Sequence, residues 1–280
     1  MTADTIRRAA TTDGGGPVLS GLPVLAHVLR ESRRSVGLWA IAVAAVASLY
    51  TASWPAVGGS KADVVAALPP GLVTALGLGE IGTPGGYLSS TVYGILGPAL
   101  LLVSAIGRAA AVLAGEEQDG TLELELTHPV SRTRVYAERL LGVWVCSAAL
   151  AAALTLAVAV VGVAVGLDEP LPDLLAGSAG LLLLTLAMGT VSFAVGAATG
   201  RRATALGVAA GIAVLAYAAN ALGALSGSGW LADVSPWSWY LGGRPLSTGF
   251  DGLGLLRLAV LLAVAATAGL LRFRRRDLGT

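Results

Sequence analysis

The sequence predicts an all-α integral membrane protein with six membrane-spanning helices, and two observations lead to this prediction. Of the 280 residues, 55% are apolar and only 12% are charged, whereas a soluble domain carries about 25% charged residues because its surface faces water. The second observation is a set of six apolar stretches, each close to the ~20 residues that a helix needs to cross the hydrocarbon core. These stretches are residues 36–54, 89–113, 140–165, 174–199, 203–225 and 253–271.

The distribution of basic residues orients the predicted spans. With the N-terminus in the cytoplasm, fourteen of the 18 Lys and Arg residues fall on the cytoplasmic side. The positive-inside rule therefore predicts that both termini are cytoplasmic. Four of the six stretches contain no charged residue, and Arg108 and Arg257 each lie near the end of a stretch. We expect these two side chains to snorkel to the interface.

Composition divides the chain into three parts. Residues 1–35 are predicted to form a cytoplasmic leader and an interfacial segment, residues 36–272 the six-span domain, and residues 273–280 a basic cytoplasmic tail. Two outer segments are longer than the other loops. We expect residues 55–88 to lie on the outer interface as short amphipathic pieces. Residues 226–252 contain Pro, Gly and Trp, and we expect them to lie at the interface or to re-enter the membrane in part. The inner loop between the second and third spans, about residues 114–138, holds the concentrated charge of the sequence.

Leucines alternate with acids in this inner loop. Leu122, Leu124 and Leu126 are separated by Glu123 and Glu125, and a period of two is typical of a strand. A lone strand has no partner for its backbone groups, so we predict a short amphipathic helix with Leu122 and Leu126 on one face.

Two interpretations of the loop are open from the residues alone. The charges either belong to a solvated loop and follow the topology, or they surround leucines that are buried against a cytoplasmic partner. The predicted loop helix ends before Pro129. Ser131 is placed to cap the helix that follows, which enters the membrane through Arg132, Arg134, Glu138 and Arg139.

Several motifs occur in a fixed order along the chain. They are Glu116-Glu117-Gln118-Asp119-Gly120-Thr121-Leu122-Glu123, Pro129-Val130-Ser131-Arg132, the apolar span after Gly86-Tyr87-Leu88, the outer Ser235-Pro236 and Pro245-Leu246, and the closing Phe273-Arg274-Arg275-Arg276-Asp277-Leu278. In this order, with six spans, the chain resembles the type 2 ATP-binding-cassette (ABC) transporter permeases, the membrane subunits of bacterial exporters. The resemblance covers nearly the whole chain after the leader. Glu125 and His128 depart from the pattern, because relatives more often carry an apolar residue and a small or polar residue there.

The resemblance implies partners and a coupling site. Such permeases pair as dimers, here with a second copy or a paralogue, in contact with membrane lipid and without nucleic acid. The inner-loop helix of each permease acts as a cytoplasmic coupling helix and fits a cleft on a separate ATP-binding-cassette ATPase subunit, which binds ATP and Mg. The resemblance assigns this partner contact to Glu117, Gly120, Thr121, Leu122, Glu123, Leu126, Pro129, Ser131 and Arg132.

The residues themselves exclude several kinds of enzyme. A Walker A loop requires Gly-Lys-Ser or Gly-Lys-Thr, but the single lysine, Lys61, lies between Ser60 and Ala62. The histidines, His27 and His128, form no His-Glu-x-x-His pair, so the sequence lacks the two histidine ligands of a zinc protease of that type. We therefore predict no catalytic residue, no metal site and no cofactor bound by this chain, with ATP hydrolysis in a separate subunit.

The predicted function is that of the permease subunit of an ATP-driven exporter in a bacterial plasma membrane. The spans offer few charges, so the expected substrate is amphipathic or hydrophobic: a drug, an antibiotic or a lipid-like molecule. An ion-coupled secondary transporter without an ATPase partner is the alternative, although such carriers place ionisable groups near the midplane. Tyr217 and Asn220 in the fifth stretch are candidates for the substrate path, with interhelical hydrogen bonds as their other possible role.

Overall fold

The computed structural model describes residues 22–56, 67–69, 73, 81–118, 131–227 and 229–276. Within these ranges the regular structure is helical throughout, and six helices are long and apolar enough to cross a membrane. The predicted all-α membrane class and the number of spans are confirmed. The spans are Pro23–Ala56, Pro84–Gly115, Arg132–Ala164, Leu171–Thr199, Arg202–Ser226 and Gly252–Arg275, numbered 1 to 6.

Span 4 lies at the centre of the bundle. It packs against spans 2, 3, 5 and 6, whereas span 1 packs mainly against span 3. Small residues allow this close packing: a Cβ atom added at Gly189 would lie 3.4 Å from the Cβ atom of Ala105 in span 2. Interhelical hydrogen bonds add to the packing, for example from Ser192 Oγ to the Ile106 carbonyl at 3.0 Å.

Span 1 is longer than its apolar stretch. Its α-helix begins at Pro23, well before residue 36, because charged residues outside the membrane do not stop a helix. Leu25 and Val28 are buried, and both side chains face Gly142 of span 3. The first turn of a helix has free N–H groups that favour an anion. Glu138 of span 3 supplies one, since its Oε2 accepts from the Leu25 N–H at 3.0 Å.

Span 2 is not a uniform α-helix. Its segments are α-helical Pro84–Ser90, π-helical Val92–Leu96, α-helical Gly97–Ala110 and π-helical Ala111–Gly115. π-Helical turns change the backbone bonding pattern and often occur at functional sites. Each of these two π segments offers a carbonyl to a side chain from elsewhere: Tyr93 O accepts from Tyr240 Oη at 3.0 Å, and Val112 O accepts from the Arg139 guanidinium.

The segment between spans 5 and 6 penetrates the bundle. Its described helices are Gly229–Asp233, Pro236–Leu241 and Pro245–Thr248. Ser235 caps the second helix and donates from Oγ to the Ala216 carbonyl of span 5 at 2.6 Å. Tyr240 is only 2% exposed, and the Leu246 side chain lies against Gly177 of span 4. Of the two predicted arrangements for this segment, the re-entrant one fits these contacts.

The turn between spans 3 and 4 places a carboxylate against the start of span 2. Glu169 Oε1 is buried without a hydrogen-bond partner among the described residues, and a Cβ atom added at Gly85 would lie 2.9 Å from it. Burial, and to a smaller extent the charge of Asp173, raises the pKa of Glu169 from 4.5 to about 7. Between pH 4.5 and about pH 7, the folded chain therefore holds a proton on Glu169 that the unfolded chain releases.

This raised pKa predicts a pH-dependent stability. A carboxyl whose folded-state pKa exceeds its unfolded value contributes stability that is complete below the unfolded pKa and is lost as the pH rises through the folded pKa. For Glu169 that window runs from 4.5 to about 7. We expect the thermal stability of the purified protein to fall between pH 4.5 and about pH 7, and Glu169→Gln to remove this part of the fall. Asp168→Asn, a change at the exposed neighbour, should keep it; an unchanged pH profile in the Glu169 variant would contradict the assignment.

Candidate functional site

The structure describes the two ends of the inner loop that was assigned to a partner contact. Glu117 lies in the short helix Glu116–Gln118 at the end of span 2, and Ser131 and Arg132 begin span 3. The other assigned positions fall outside the described residues, so their role remains a prediction. They are Gly120, Thr121, Leu122, Glu123, Leu126 and Pro129.

Ser131 caps span 3 as predicted. Its backbone is extended, and its Oγ accepts from the Arg134 N–H at 3.3 Å. A serine at this position satisfies one of the free N–H groups of the first helical turn. The cap marks the point at which the inner loop ends and the third span begins.

Both ends of the loop converge on the end of span 6. The Arg276 guanidinium binds both carboxylate oxygens of Glu117, with Nη1 at 3.1 Å from Oε2 and Nη2 paired with Oε1. Arg132 Nη1 donates to the Arg276 carbonyl at 2.7 Å. The Arg276 and Glu117 side chains are 26% and 19% exposed, so the pair is partly desolvated. We call Glu117, Arg132 and Arg276 the Arg276 cluster.

The turn between spans 4 and 5 closes around this cluster. Arg276 Nη1 lies 3.4 Å from the Ala197 carbonyl, and the Arg202 N–H donates to Gln118 Oε1 at 3.3 Å. Gly200 ends span 4 at a φ of +64°, where glycine is favoured because it has no Cβ atom. A Cβ atom at Gly200 would also lie 2.8 Å from Glu117 Oε1 and would collide with the Arg276 guanidinium. The Arg276 cluster therefore joins spans 2, 3, 4 and 6 at one end of the bundle, the end that the basic residues assign to the cytoplasm.

A second set of charged contacts lies nearly two turns further along span 3. Glu138 is 3% exposed; its Oε1 accepts from Arg134 Nε at 2.6 Å, and its Oε2 holds the first turn of span 1. Arg139 is 1% exposed and donates to the Val112 carbonyl in the second π segment of span 2. Span 3 thus fixes the inner ends of spans 1 and 2 through adjacent residues.

Sequence reasoning missed the pairing of Arg276, because it treated residues 273–280 only as a basic tail. It placed Glu138 and Arg139 at the membrane entry without partners. A signal for the pairing was present in part: acids at the start of the inner loop and arginines after span 6 were predicted on the same side. That signal gives the side of the membrane but not the partner.

An apolar pocket of about 430 Å³ opens between spans 2 and 5. Tyr217, one of the two candidates for the substrate path, lines it beside Trp237, and their rings meet edge to face at 5.1 Å. Ile95 and Leu102 are among its apolar walls. Asn220, the other candidate, is not among the lining residues. The structure brings Tyr217 to a cavity and leaves Asn220 apart from it.

A second cavity, of about 500 Å³, lies between spans 1 and 2 near their inner ends. Its lining is mixed: arginine and serine side chains share it with apolar ones. The residues are Val28, Glu31, Ser32, Ser35, Trp39, Val103, Ser104, Gly107, Arg108, Ala111, Val112, Gly115 and Arg202. We call this cavity the inner groove. Among the described residues no cluster of three or more His, Cys, Asp or Glu residues suits a metal ion.

A six-span bundle with charged contacts at its inner end defines a multi-pass membrane protein. A family model described as ABC-2 family transporter protein matches residues 22–278, nearly the whole chain, and the chain belongs to that family. The type 2 ABC permease resemblance is confirmed. Membership implies an ABC permease subunit whose ATPase activity lies in an ATP-binding-cassette partner. The search of curated proteins finds no match.

Proposed function

We propose that this chain is the permease subunit of an ATP-driven exporter in a bacterial plasma membrane. Two copies, or one copy and a paralogue, would work with two separate nucleotide-binding subunits. The observation that supports this most strongly is the Arg276 cluster, where both ends of the inner loop meet the end of span 6. A motion imposed on the loop by a nucleotide-binding subunit would reach spans 2, 3, 4 and 6 through these contacts.

The proposed cargo is amphipathic or hydrophobic, such as a drug, an antibiotic or a lipid-like molecule. The pocket beside Tyr217 is lined almost entirely by apolar side chains, which suits an apolar group on the cargo. Efflux and resistance to a toxic compound are the expected cellular outcomes.

The buried charges of the described spans support an ATP-driven rather than an ion-coupled mechanism. Glu138 and Arg139 are the buried charged residues there, and both lie within the first turns of span 3. Each contacts a neighbouring span, as a structural charge does. A carrier driven by an ion gradient is expected to place an ionisable group near the midplane instead.

Substituting the loop leucines tests the docking part of this proposal. Leu122→Asp with Leu126→Asp places two charges where apolar anchors are predicted, and a charge buried against a partner costs several kcal/mol unless it is paired. We expect the variant to reach the membrane at the wild-type level but to lose the ATPase subunit during purification. The measurement is the amount of nucleotide-binding subunit recovered with the tagged permease from membranes of the native host. A second readout is ATP turnover that depends on the Walker A lysine of the recovered subunit.

Val234→Asp is the matched control, because Val234 is 59% exposed in the outer segment. It should retain the ATPase subunit, and the wild-type permease purified alone should show no ATP turnover. Equal recovery of the ATPase subunit with the leucine variant and with the wild type would defeat the docking proposal.

A further inference from the structure

The inner groove has two arginines and an apolar wall, and it lies at the level of the inner membrane leaflet. Arg108 projects from span 2 and Arg202 from the start of span 5. Arg108 lies seven residues before Gly115, where span 2 ends, and therefore about 10 Å along the helix from that end. Trp39 and Val103 form part of the apolar wall.

Arg108 has no acidic partner among the residues that the structure describes. Within the described ranges its Nη2 donates to Ser104 Oγ alone, at the long distance of 3.4 Å. The acid in the groove, Glu31, is instead 3.8 Å from His27 Nε2 on its own helix. Arg202 also lacks an acidic partner within the described ranges. Its hydrogen bond to Gln118 comes from its backbone N–H and not from its guanidinium. An unpaired charge inside a membrane span is costly and usually marks a functional site.

The walls of the groove continue onto the surface that faces lipid. Val103 is 62% exposed, and Leu38 and Ile41 on span 1 are 70% and 69% exposed. A molecule in the groove can therefore keep an apolar chain in the bilayer while its head reaches the two guanidinium groups. Guanidinium groups bind phosphate and carboxylate with charge-assisted, often bidentate, hydrogen bonds. Basic pockets between membrane helices on the cytoplasmic side bind acidic lipid head groups in this way.

We propose that the inner groove is a binding site for an anionic amphiphile that enters from the inner leaflet. Its phosphate or carboxylate lies between Arg108 and Arg202, and its apolar chain lies along Trp39 and Val103. The hydroxyl groups of Ser32 and Ser104 complete the polar end of the site. This inference rests on the proposed export function and makes its substrate class narrower: the cargo carries an acidic group.

Photolabelling of the full chain with its ATPase subunit tests the site. The complex is placed in nanodiscs of phosphatidylcholine that contain a small fraction of photoactivatable phosphatidylglycerol. We expect label on the span 1 and span 2 peptides that contain Trp39 and Val103, and a rise in ATP turnover when phosphatidylglycerol is added. Arg108→Gln should reduce both by about tenfold, the effect of losing one strong charge-assisted contact.

Two matched variants separate the loss of the Arg108 charge from a general effect on folding. Arg108→Lys keeps the positive charge and should retain most of the labelling. Arg257→Gln removes the other arginine of the six apolar stretches, an exposed residue of span 6, and should leave labelling and turnover unchanged. Equal labelling of Arg108→Gln and the wild type, or equal labelling by a photoactivatable phosphatidylcholine, would overturn the proposal.

Two other results also overturn it, and each names a different occupant. Competition by millimolar inorganic phosphate, without competition by unlabelled phosphatidylglycerol, would show a site for a soluble anion. Labelling without any effect on ATP turnover would show a structural lipid instead of cargo. None of these results changes recovery of the ATPase subunit in the loop-leucine experiment, so a failure here is distinguishable from a failure of the exporter assignment.

Discussion

Replacing Arg276 with glutamate is expected to uncouple the permease from ATP turnover while the six spans remain in the membrane. The change removes the guanidinium that binds both carboxylate oxygens of Glu117 and sets two carboxylates side by side. Because the pair is partly desolvated, we place the cost at about 2–4 kcal/mol, between an exposed and a fully buried ion pair. The fraction of molecules in which the inner loop contacts the end of span 6 then falls at least about tenfold.

The measurement is the part of ATP turnover that depends on the permease, in the purified complex. We expect it to fall at least about tenfold, in proportion to the loss of this contact. Hydrogen exchange provides an independent readout, because the last turn of span 6 should exchange faster once its contact with the loop is lost.

Exchanging the two charges separates the ion pair from a general charge effect. Glu117→Arg combined with Arg276→Glu restores a pair of opposite charges, and we expect part of the turnover to return. Arg274→Glu is the control, because Arg274 is exposed in the same turn and forms no ion pair with the residues that the structure describes. If Arg274→Glu matched the effect of Arg276→Glu, or if the exchanged pair recovered nothing, the Arg276 cluster would not be the coupling contact.

The number and order of the spans could be predicted from the sequence because bilayer thickness fixes the length of an apolar stretch. The beginning of span 1 could not be predicted in this way. Hydropathy reports where a helix lies in lipid, and not where its backbone bonding starts. The helix begins at Pro23 because its first turn is held by Glu138 of span 3, a contact between residues that are far apart in the chain.

The candidate site was predictable only in part, for the same reason. The cap at Ser131 depends on neighbouring residues, and it was predicted. The Arg276 cluster depends on where span 6 ends relative to spans 2 and 3, and Arg276 is 159 residues from Glu117. Tyr217 and Asn220 were both chosen as polar groups in one apolar span, yet only Tyr217 faces the pocket between spans 2 and 5. Helix composition does not give the rotation of a helix against its neighbours.

Span 6 depends on one glycine for its place beside span 4. A Cβ atom added at Gly269 would lie 2.7 Å from the Ala194 Cβ atom and 2.8 Å from the Ala194 Cα atom. The second of these contacts is with backbone, so no change of rotamer relieves it. The same atom would collide with the hydroxyl of Tyr136, which donates to the Ala266 carbonyl at 2.9 Å and packs its ring against Phe193.

We therefore expect Gly269→Leu to cause the largest loss of stability among the changes considered. Overpacking costs about 1–3 kcal/mol where side chains can adjust, and a clash with backbone belongs at or above the upper end of that range. For a chain of this size such a loss lowers the melting temperature by about 5–10 °C or prevents recovery of folded protein. Gly269→Ala, which adds the Cβ atom alone, should already lower it.

The matched control is Gly37→Leu, because Gly37 is exposed on span 1 and, apart from its own helical turn, no described atom would lie within 4 Å of a Cβ atom there. Melting of the detergent-purified chain, followed by size-exclusion chromatography after heating, measures all three variants. An unchanged melting temperature for Gly269→Leu would mean that spans 4 and 6 do not meet at this glycine. Since span 6 carries Arg276 to the inner loop, a displaced span 6 also predicts loss of the permease-dependent ATP turnover in whatever folded fraction survives. Both variants thus test the contact between span 6 and the inner loop: the Gly269 variant changes the packing of span 6, and the Arg276 variant changes its charge.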